Sequence, residues 1–142
     1  MKYLLDTNVY HGAAGSEERA AGFGATFFPL LPSTYLSAVV AYELLVDAQG
    51  RQTRDLVEAF VAPTRRAGRI VSPVFEDWTA AASILTTISE RAPSWRTKLR
   101  GLLNDVLIAL CARRIGATLF TYNARDFRLI RRHYEFSLRV LS

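Results

Sequence analysis

Four acidic residues are the candidate chemical groups of this chain: Asp6, Glu43, Asp105 and Asp126. Carboxylates gathered in one cleft repel each other and raise one another's pKa unless a positive charge lies among them. Hard oxygen ligands favour Mg²⁺ or Mn²⁺ over zinc, and neither His11 nor His133 has a metal-binding spacing. Such a site can activate water and neutralise charge in phosphodiester hydrolysis, with one ion or two.

Asp6 follows the short apolar run Tyr3-Leu4-Leu5, which is typical of a buried strand in a parallel sheet. In open α/β sheets, ligands bind at the carboxyl ends of strands, where Asp6 would lie. Asp also commonly ends a strand and caps the next helix. For Asp6 alone, capping is the commoner interpretation, so the choice depends on the rest of the chain.

Strand and helix patterns alternate along the chain with short connections. Further strand patterns cover residues 34–37, 70–71, 117–121 and 136–141, and helical patterns cover 38–46, 52–61, 75–91 and 102–115. This alternation predicts a three-layer α/β/α sandwich with a mostly parallel central sheet. The length of 142 residues predicts a single domain over residues 1–142.

Residues 11–32 form a Gly- and Ala-rich segment that we predict to be a long loop, with one short helix capped by Ser16 and a close at Pro29 and Pro32. The stretch from Gly22 to Ala25 does not have the Gly-Lys-Ser/Thr ending of a phosphate-binding loop, so we reject that function.

The predicted elements place the other three acids near the strand ends. Glu43 lies on a helix that Ser37 caps, Asp105 lies in the first turn or two of its helix, and Asp126 lies in the loop after the strand 117–121. In a parallel sheet all of these positions can face one cleft. Local alternatives remain, because Asp105 could cap its helix and Asp126 could bend the terminal loop.

Basic residues exceed acidic ones, 18 to 13, for a net charge of +5, and all the basic residues except Lys2 and Lys98 are arginines. The planar guanidinium matches phosphate oxygens and stacks on bases, so the excess favours a polyanionic partner. A genomic bias toward Arg codons would give the same ratio without a function. No apolar run approaches the ~20 residues of a membrane span, and the single Cys111 favours a reducing, cytoplasmic location.

Four stretches of the chain together resemble the PIN-domain ribonucleases, and most closely the VapC-type toxins of toxin–antitoxin pairs. They are Leu5-Asp6-Thr7-Asn8-Val9, Ser37-Ala38 with Tyr42-Glu43-Leu44, Asn104-Asp105-Val106-Leu107-Ile108-Ala109, and Thr121, Asn123 and Asp126-Phe127. Each stretch alone is weak, whereas four in the family's order are fairly specific. The resemblance implies a metal-dependent endoribonuclease.

The same resemblance implies a role for each acid. Asp6 and Asp105 would be the principal ligands of Mg²⁺ or Mn²⁺, and Glu43 and Asp126 would complete the site or hold metal waters. The implied partners are an RNA substrate and a small antitoxin protein that holds the toxin inactive. We also expect a homodimer and no membrane association.

Three polar residues would support the acids. Thr121 and Asn123 would lie at the same edge, and Asn8 would orient Asp6. Asn123 and Asp126 compete for the fourth place in the site, and we prefer Asp126 because it carries charge. Residues 11–32 are long and Gly-rich for the family, which leaves the contacts of that segment open.

Two other functions compete with this hypothesis. The first is a non-catalytic RNA-binding or regulatory module on the same fold, although a pure binder has no use for four clustered carboxylates facing phosphates. The second is a phosphatase with Asp6 as nucleophile. That chemistry usually requires a second acid two residues later, where this chain has Asn8.

The helical segments 39–46 and 56–61 carry more apolar residues than one core-facing stripe requires. We therefore predict a groove between them that receives an antitoxin segment. The alternative is simple packing of both helices in the core.

Overall fold

A five-stranded sheet forms the centre of the protein in a computed structural model that describes residues 1–13 and 17–142. Its strands are β1 (Lys2–Leu5), β2 (Thr34–Ser37), β3 (Ile70–Val71), β4 (Ala117–Thr121) and β5 (Leu138–Val140). The strand order is β3-β2-β1-β4-β5, and every neighbouring pair is parallel. The predicted α/β fold with a parallel central sheet is therefore confirmed.

Seven α-helices surround the sheet in the described part of the chain: α1 (Thr7–Ala13), α2 (Glu17–Phe27), α3 (Ala38–Asp47), α4 (Gly50–Arg66), α5 (Phe75–Arg91), α6 (Leu99–Ile115) and α7 (Ala124–His133). Two 3-10 helices, Phe28–Ser33 and Pro93–Lys98, precede β2 and α6. None of the described helices has the length and apolar character needed to cross a bilayer.

Helices cover both faces of the sheet, because successive side chains of a strand point to opposite sides. Leu4 belongs to a large buried cluster that includes residues of α3, α5, α6 and α7. The next residue, Leu5, belongs to a smaller cluster with Val9 of α1, Phe27 of α2 and Phe120 of β4. This arrangement gives the predicted three layers and buries Leu4 and Leu5 on opposite faces of β1.

Two helix ends follow the sequence signals closely. The Ser37 side chain accepts a hydrogen bond from the Val39 amide at 3.1 Å and caps α3, as predicted. Gly116 ends α6 with φ of 70°, a left-handed conformation that favours glycine and turns the chain directly into β4.

The predicted loop over residues 11–32 is wrong for the part that the structure describes, since α1, α2 and a 3-10 helix occupy most of it. Gly22 and Gly24 each cost a helix about 1 kcal/mol relative to Ala. Aromatic packing offsets this cost, because the rings of Phe23 and Phe27 lie 5.0 Å apart and Phe27 packs edge-on against Phe120. The predicted Ser16 cap lies outside the described residues.

Three predicted boundaries also require correction. The helix predicted to end before Pro63 continues to Arg66, because proline removes only one amide donor and the Ala67 amide still bonds the Pro63 carbonyl at 3.0 Å. The helix predicted from Leu102 begins at Leu99. The last strand is only Leu138–Val140, shorter than the predicted 136–141.

Candidate active site

Four separate elements carry the four acids to the carboxyl edge of the sheet. Asp6 directly follows β1, Glu43 lies within α3, Asp105 lies in the second turn of α6, and Asp126 lies in the first turn of α7. Asp105 therefore does not cap its helix, whose N-cap is Lys98. Asp126 does not lie in a loop as predicted, because α7 begins two residues before it.

Asp6 is held in a fixed orientation by its neighbours and is only 5% exposed. Its Oδ1 accepts the Thr7 amide at 2.8 Å, and its Oδ2 accepts the Thr121 hydroxyl at 2.7 Å. The Asp6 amide donates to the Phe120 carbonyl at 2.9 Å and so ties the end of β1 to β4. The local capping role and the site role are thus compatible, since one carboxylate oxygen serves α1 and the other faces β4.

Glu43 is half-buried and points toward β1 rather than into solvent. The Thr7 hydroxyl donates to its Oε1 at 2.6 Å, and the Asn104 amide nitrogen donates to its Oε2 at 3.5 Å. Thr7 and Asn104 were missed as site residues in the sequence. The available signal was their position, because each adjoins a predicted acid, Asp6 and Asp105 respectively.

The three predicted supporting residues meet at the end of β4. The Asn8 side chain donates to the Thr121 hydroxyl oxygen at 3.3 Å and accepts the Tyr122 amide at 3.2 Å. The same Thr121 oxygen accepts the Asn123 amide at 2.9 Å. Asn8 therefore acts on Asp6 through Thr121, because it fixes the hydroxyl that bonds the carboxylate.

Asn123 and Asp126 form a closed cap at the start of α7. The Asn123 side chain accepts the Asp126 amide at 3.2 Å and donates to Asp126 Oδ2 at 3.0 Å. Arg125 pairs with Asp126 Oδ1 at 3.0 Å. Because capping occupies the Asn123 side chain and Asp126 carries the charge that reaches the other acids, we keep Asp126 as the fourth site group.

Mutual repulsion shows that the acids share one electrostatic environment. Burial, together with the charges of Asp6, Asp126 and Glu43, raises the pKa of Asp105 to about 8. Burial also raises the pKa of Asp6, and hydrogen bonds from Thr121 and Thr7 oppose that rise. Burial and mutual repulsion therefore oppose ionisation of Asp6 and Asp105 in the metal-free protein, and a bound cation would relieve both effects.

The chemistry of this donor set fits a hard divalent cation. Among the ion pairs of the described residues, only the one from Arg125 to Asp126 involves any of the four acids. No three His, Cys, Asp or Glu side chains in the described ranges converge into a ready-made metal cage. Mg²⁺ binds through one or two carboxylates and keeps several waters, so it does not require a closed cage.

Replacing Asp105 with Asn should stabilise the metal-free protein, and more so at pH 8 than at pH 5. The folded-state pKa of about 8 lies above the ordinary value of 3.8, so the native state binds more protons and loses stability as pH rises between these values. Removing the group should raise Tm at pH 8 by about 3–8 °C, after allowance for its partial exposure. The measurement is calorimetry in EDTA.

The matched control for this prediction is Asp55→Asn, which removes an exposed carboxylate on α4. That variant should change Tm by less than about 1–2 °C at both pH values, since exposed charges contribute little. A gain for Asp105→Asn that is equal at pH 5 and pH 8 would contradict the raised pKa of Asp105 as its cause.

The fold and the site define a class of protein: a parallel α/β domain with clustered carboxylates at the carboxyl edge of its sheet. The family model of the PIN domain matches residues 3–132. The chain belongs to the PIN domain family, as its sequence motifs predicted. No curated protein matches it significantly by sequence.

Three solved structures have a similar fold at low sequence identity, and the first two are bound to DNA. VapBC2 from Rickettsia felis bound to a DNA fragment from its promoter gives a TM-score of 0.67 at 20% identity, covering 100% of both chains. DNA-bound VapBC from Salmonella typhimurium gives 0.66 at 17%, covering 99% of this chain and 98% of that one. FitAcB from Neisseria gonorrhoeae gives 0.61 at 24%, covering 96% and 95%.

Proposed function

We propose that this chain is a divalent-metal-dependent endoribonuclease of the VapC type, the toxin of a toxin–antitoxin pair. The observation that carries the proposal is the acid set: carboxylates from four separate elements act on one another's charge at the edge where parallel sheets bind ligands. Membership of the PIN domain family and likeness to the VapBC and FitAB complexes support a nuclease that pairs with an antitoxin.

In this mechanism Asp6 and Asp105 would hold the ion, and Glu43 and Asp126 would complete the site or hold metal waters. When bound, Mg²⁺ or Mn²⁺ supplies charge neutralisation at the phosphate and a lowered water pKa. The protein's own part is orientation. Thr121 and the Thr7 amide keep both Asp6 oxygens in place and favour the ionised form, and the Thr7 hydroxyl holds Glu43 toward the same edge.

The proposal is tested by cleavage of single-stranded RNA by the purified protein. We expect cleavage in Mg²⁺ or Mn²⁺, a loss of about 100-fold or more in EDTA at matched ionic strength, and recovery when the metal is restored. DNA of the same sequence serves as the substrate control. Full activity in EDTA would contradict the metal, and cleavage of the DNA alone would contradict RNA as substrate.

One observation favours the competing function of a non-catalytic RNA-binding module, namely that no three ligating side chains of the described residues already converge on a metal position. The two functions differ in a simple way, since the module would bind RNA in Mg²⁺ or Mn²⁺ without cleaving it. The phosphatase alternative gains no support. Asn8 stands where that chemistry requires a second acid, and its side chain is hydrogen-bonded to the Thr121 hydroxyl and the Tyr122 amide.

An apolar groove supports the antitoxin part of the proposal. It is a cavity of about 580 Å³ between α1, α2, α3 and α4, lined by aromatic and aliphatic side chains that include Tyr10, Phe23, Phe28, Val57 and Phe60. Phe28 is 71% exposed and Phe60 is 55% exposed. Exposed apolar rings gathered in one groove are typical of a surface that another chain covers.

The groove predicted between residues 39–46 and 56–61 requires adjustment. Val40 is fully buried and Leu44 is 6% exposed, so part of α3 packs in the core. Leu44, Asp47 and Ala48 line the groove, whereas the exposed Tyr42 and Val46 do not, and α2 with the following 3-10 helix supplies a wall that we predicted to be a loop. We propose that an apolar antitoxin segment lies in this wider groove, and that the toxin forms a homodimer.

A further inference from the structure

Helix α7 carries four exposed arginines that none of the functions above uses. They are Arg125, Arg128, Arg131 and Arg132, and we call them the arginine face. Their spacing of three and four residues places them on one side of the helix. Phe127 and Ile130, on the other side, are fully buried against the core. The exposed side of α7 is thus a continuous band of positive charge.

One end of this band lies at the carboxylate site. Arg125 bonds Asp126 at 3.0 Å, and its guanidinium carbon lies 5.4 Å from the centre of the Trp95 ring. The Lys98 ammonium lies 5.2 Å from the same ring. The Trp95 ring holds Arg125 by a cation–π interaction, so the band begins beside the proposed metal ligands. Lys98 lies next to it at the same ring.

The requirements of the fold do not explain the arginine face. The ion pairs found among the described residues join Arg128, Arg131 and Arg132 to no acid. The helix dipole stabilises a cation in the last turn by about 0.3–1 kcal/mol, and this alone would account for Arg131 and Arg132. Arg125 lies in the first turn, where the same dipole disfavours a positive charge.

The other end of the band opens into a polar depression of about 540 Å³ lined by residues that include Arg131, Arg132, His133 and one acid, Glu135. His133 Nδ1 is buried there without a hydrogen-bond partner among the described residues. Burial and the nearby charges of Arg91 and Arg132 lower the pKa of His133.

We propose that the arginine face is the track along which the RNA backbone leaves the carboxylate site, with its phosphates bound by these arginines. The inference rests on the nuclease function proposed above. Arg125 and Arg132 are separated by about 10 Å along the helix at 1.5 Å per residue. This length exceeds the ~3.4 Å that one strand of a duplex advances per nucleotide, so the face is long enough to contact more than one phosphate. Arginine forks bind such oxygens in pairs.

The test compares two double variants that remove the same charge. One is Arg128→Gln with Arg132→Gln on α7, and the control is Arg65→Gln with Arg66→Gln, two exposed arginines at the end of α4. The control pair lies on a different part of the surface, since α4 packs on α3 and β2 whereas α7 packs on α5 and α6. Each pair is placed in an Asp6→Asn background, and binding to a labelled single-stranded RNA of about 12 nucleotides is measured from about 50 to 300 mM KCl.

We expect the α7 pair to lower the slope of log Kd against log salt by about 1.4, because each phosphate contact contributes about 0.7 for single strands. At about 0.1 M salt the same relation gives a Kd rise of about 25-fold for two contacts. In the active protein the α7 pair should raise KM and leave kcat within about twofold, because these residues bind substrate and transition state alike. The α4 pair should leave the slope, Kd, KM and kcat unchanged.

Equal slopes for the two variants would overturn the inference and assign the arginines to codon bias. Loss of affinity for duplex DNA without loss for RNA would also overturn it, because the face would then serve a different polymer. If both variants cleave RNA with the wild-type KM, the arginine face does not bind the RNA backbone, and the proposed nuclease function is unaffected. Absence of RNA binding in the Asp6→Asn protein itself would defeat both.

Discussion

Replacing Asp6 with Asn should lower the rate of RNA cleavage by about 1,000-fold or more while the protein stays folded. The change removes one negative charge at the end of β1 and retains most of the local hydrogen bonding, since an amide oxygen can still accept the Thr121 hydroxyl or the Thr7 amide. Loss of a principal catalytic group typically costs a factor of this order or greater in kcat. The measurement is single-turnover cleavage in Mg²⁺ or Mn²⁺, with circular dichroism to verify folding.

Asp55→Asn provides the matched control, because it makes the same chemical change at an exposed position on α4. It should cleave RNA at the wild-type rate. If Asp6→Asn unfolds, the residue serves chiefly to cap α1 and to tie β1 to β4. If it folds and cleaves RNA normally, Asp6 is not a metal ligand. Asp105→Asn then supplies a second test of the metal site, since no described residue donates a hydrogen bond that stabilises the charged form of the Asp105 carboxylate.

Replacing Phe60 with Glu should release the folded, active protein from its antitoxin, with an expected loss of affinity of about 100-fold. Phe60 is 55% exposed and lies 6.4 Å, ring centre to ring centre, from Tyr10 in the wall of the apolar groove. An aromatic anchor in a desolvated pocket commonly contributes 2 kcal/mol or more to binding, and Glu would also bury a charge there. The antitoxin for the measurement is the product of the neighbouring upstream reading frame, which we expect to encode it.

Phe75→Glu is the matched control for Phe60→Glu. Phe75 is 74% exposed at the start of α5 and does not line the groove. Its variant should bind the antitoxin like the wild type. Unfolding of Phe60→Glu would place that ring in the core, and unchanged affinity of the folded variant would place the antitoxin elsewhere. Inhibition of RNA cleavage by added antitoxin gives the functional readout, which Phe60→Glu should escape.

The α/β class and most strand positions could be predicted because they depend on local patterns. Tyr3-Leu4-Leu5 and Ala117–Thr121 are apolar runs with polar boundaries, and both form central strands. The helix 75–91 was predicted with its observed ends, since Pro93 blocks its continuation. The family motifs lie at strand ends and helix starts, where the local sequence gives the clearest structural signals.

The errors arose where tertiary packing outweighs local preference. Gly22 and Gly24 suggest a loop, yet the burial of Phe27 against Phe120 holds α2 together. The start of α7 depends on the cap between Asn123 and Asp126, and the helix itself depends on burial of Phe127 and Ile130 among residues far away in sequence. The contacts of Phe127 and Ile130 leave no signal in a short window of sequence, whereas the Asn123–Asp126 cap spans three residues and is a local helix-start signal that was missed.

By itself, the sequence determined the parallel α/β fold and the family, and it indicated the four acids that we propose as the site, because residue type and periodicity are local properties. Only the tertiary structure decided how the acids are held. The Thr7 hydroxyl reaches Glu43 across 36 positions, and Thr121 reaches Asp6 across 115. It also raises the pKa of Asp105 to about 8, since burial and, after it, repulsion by the other acids depend on positions in space that no spacing along the chain encodes.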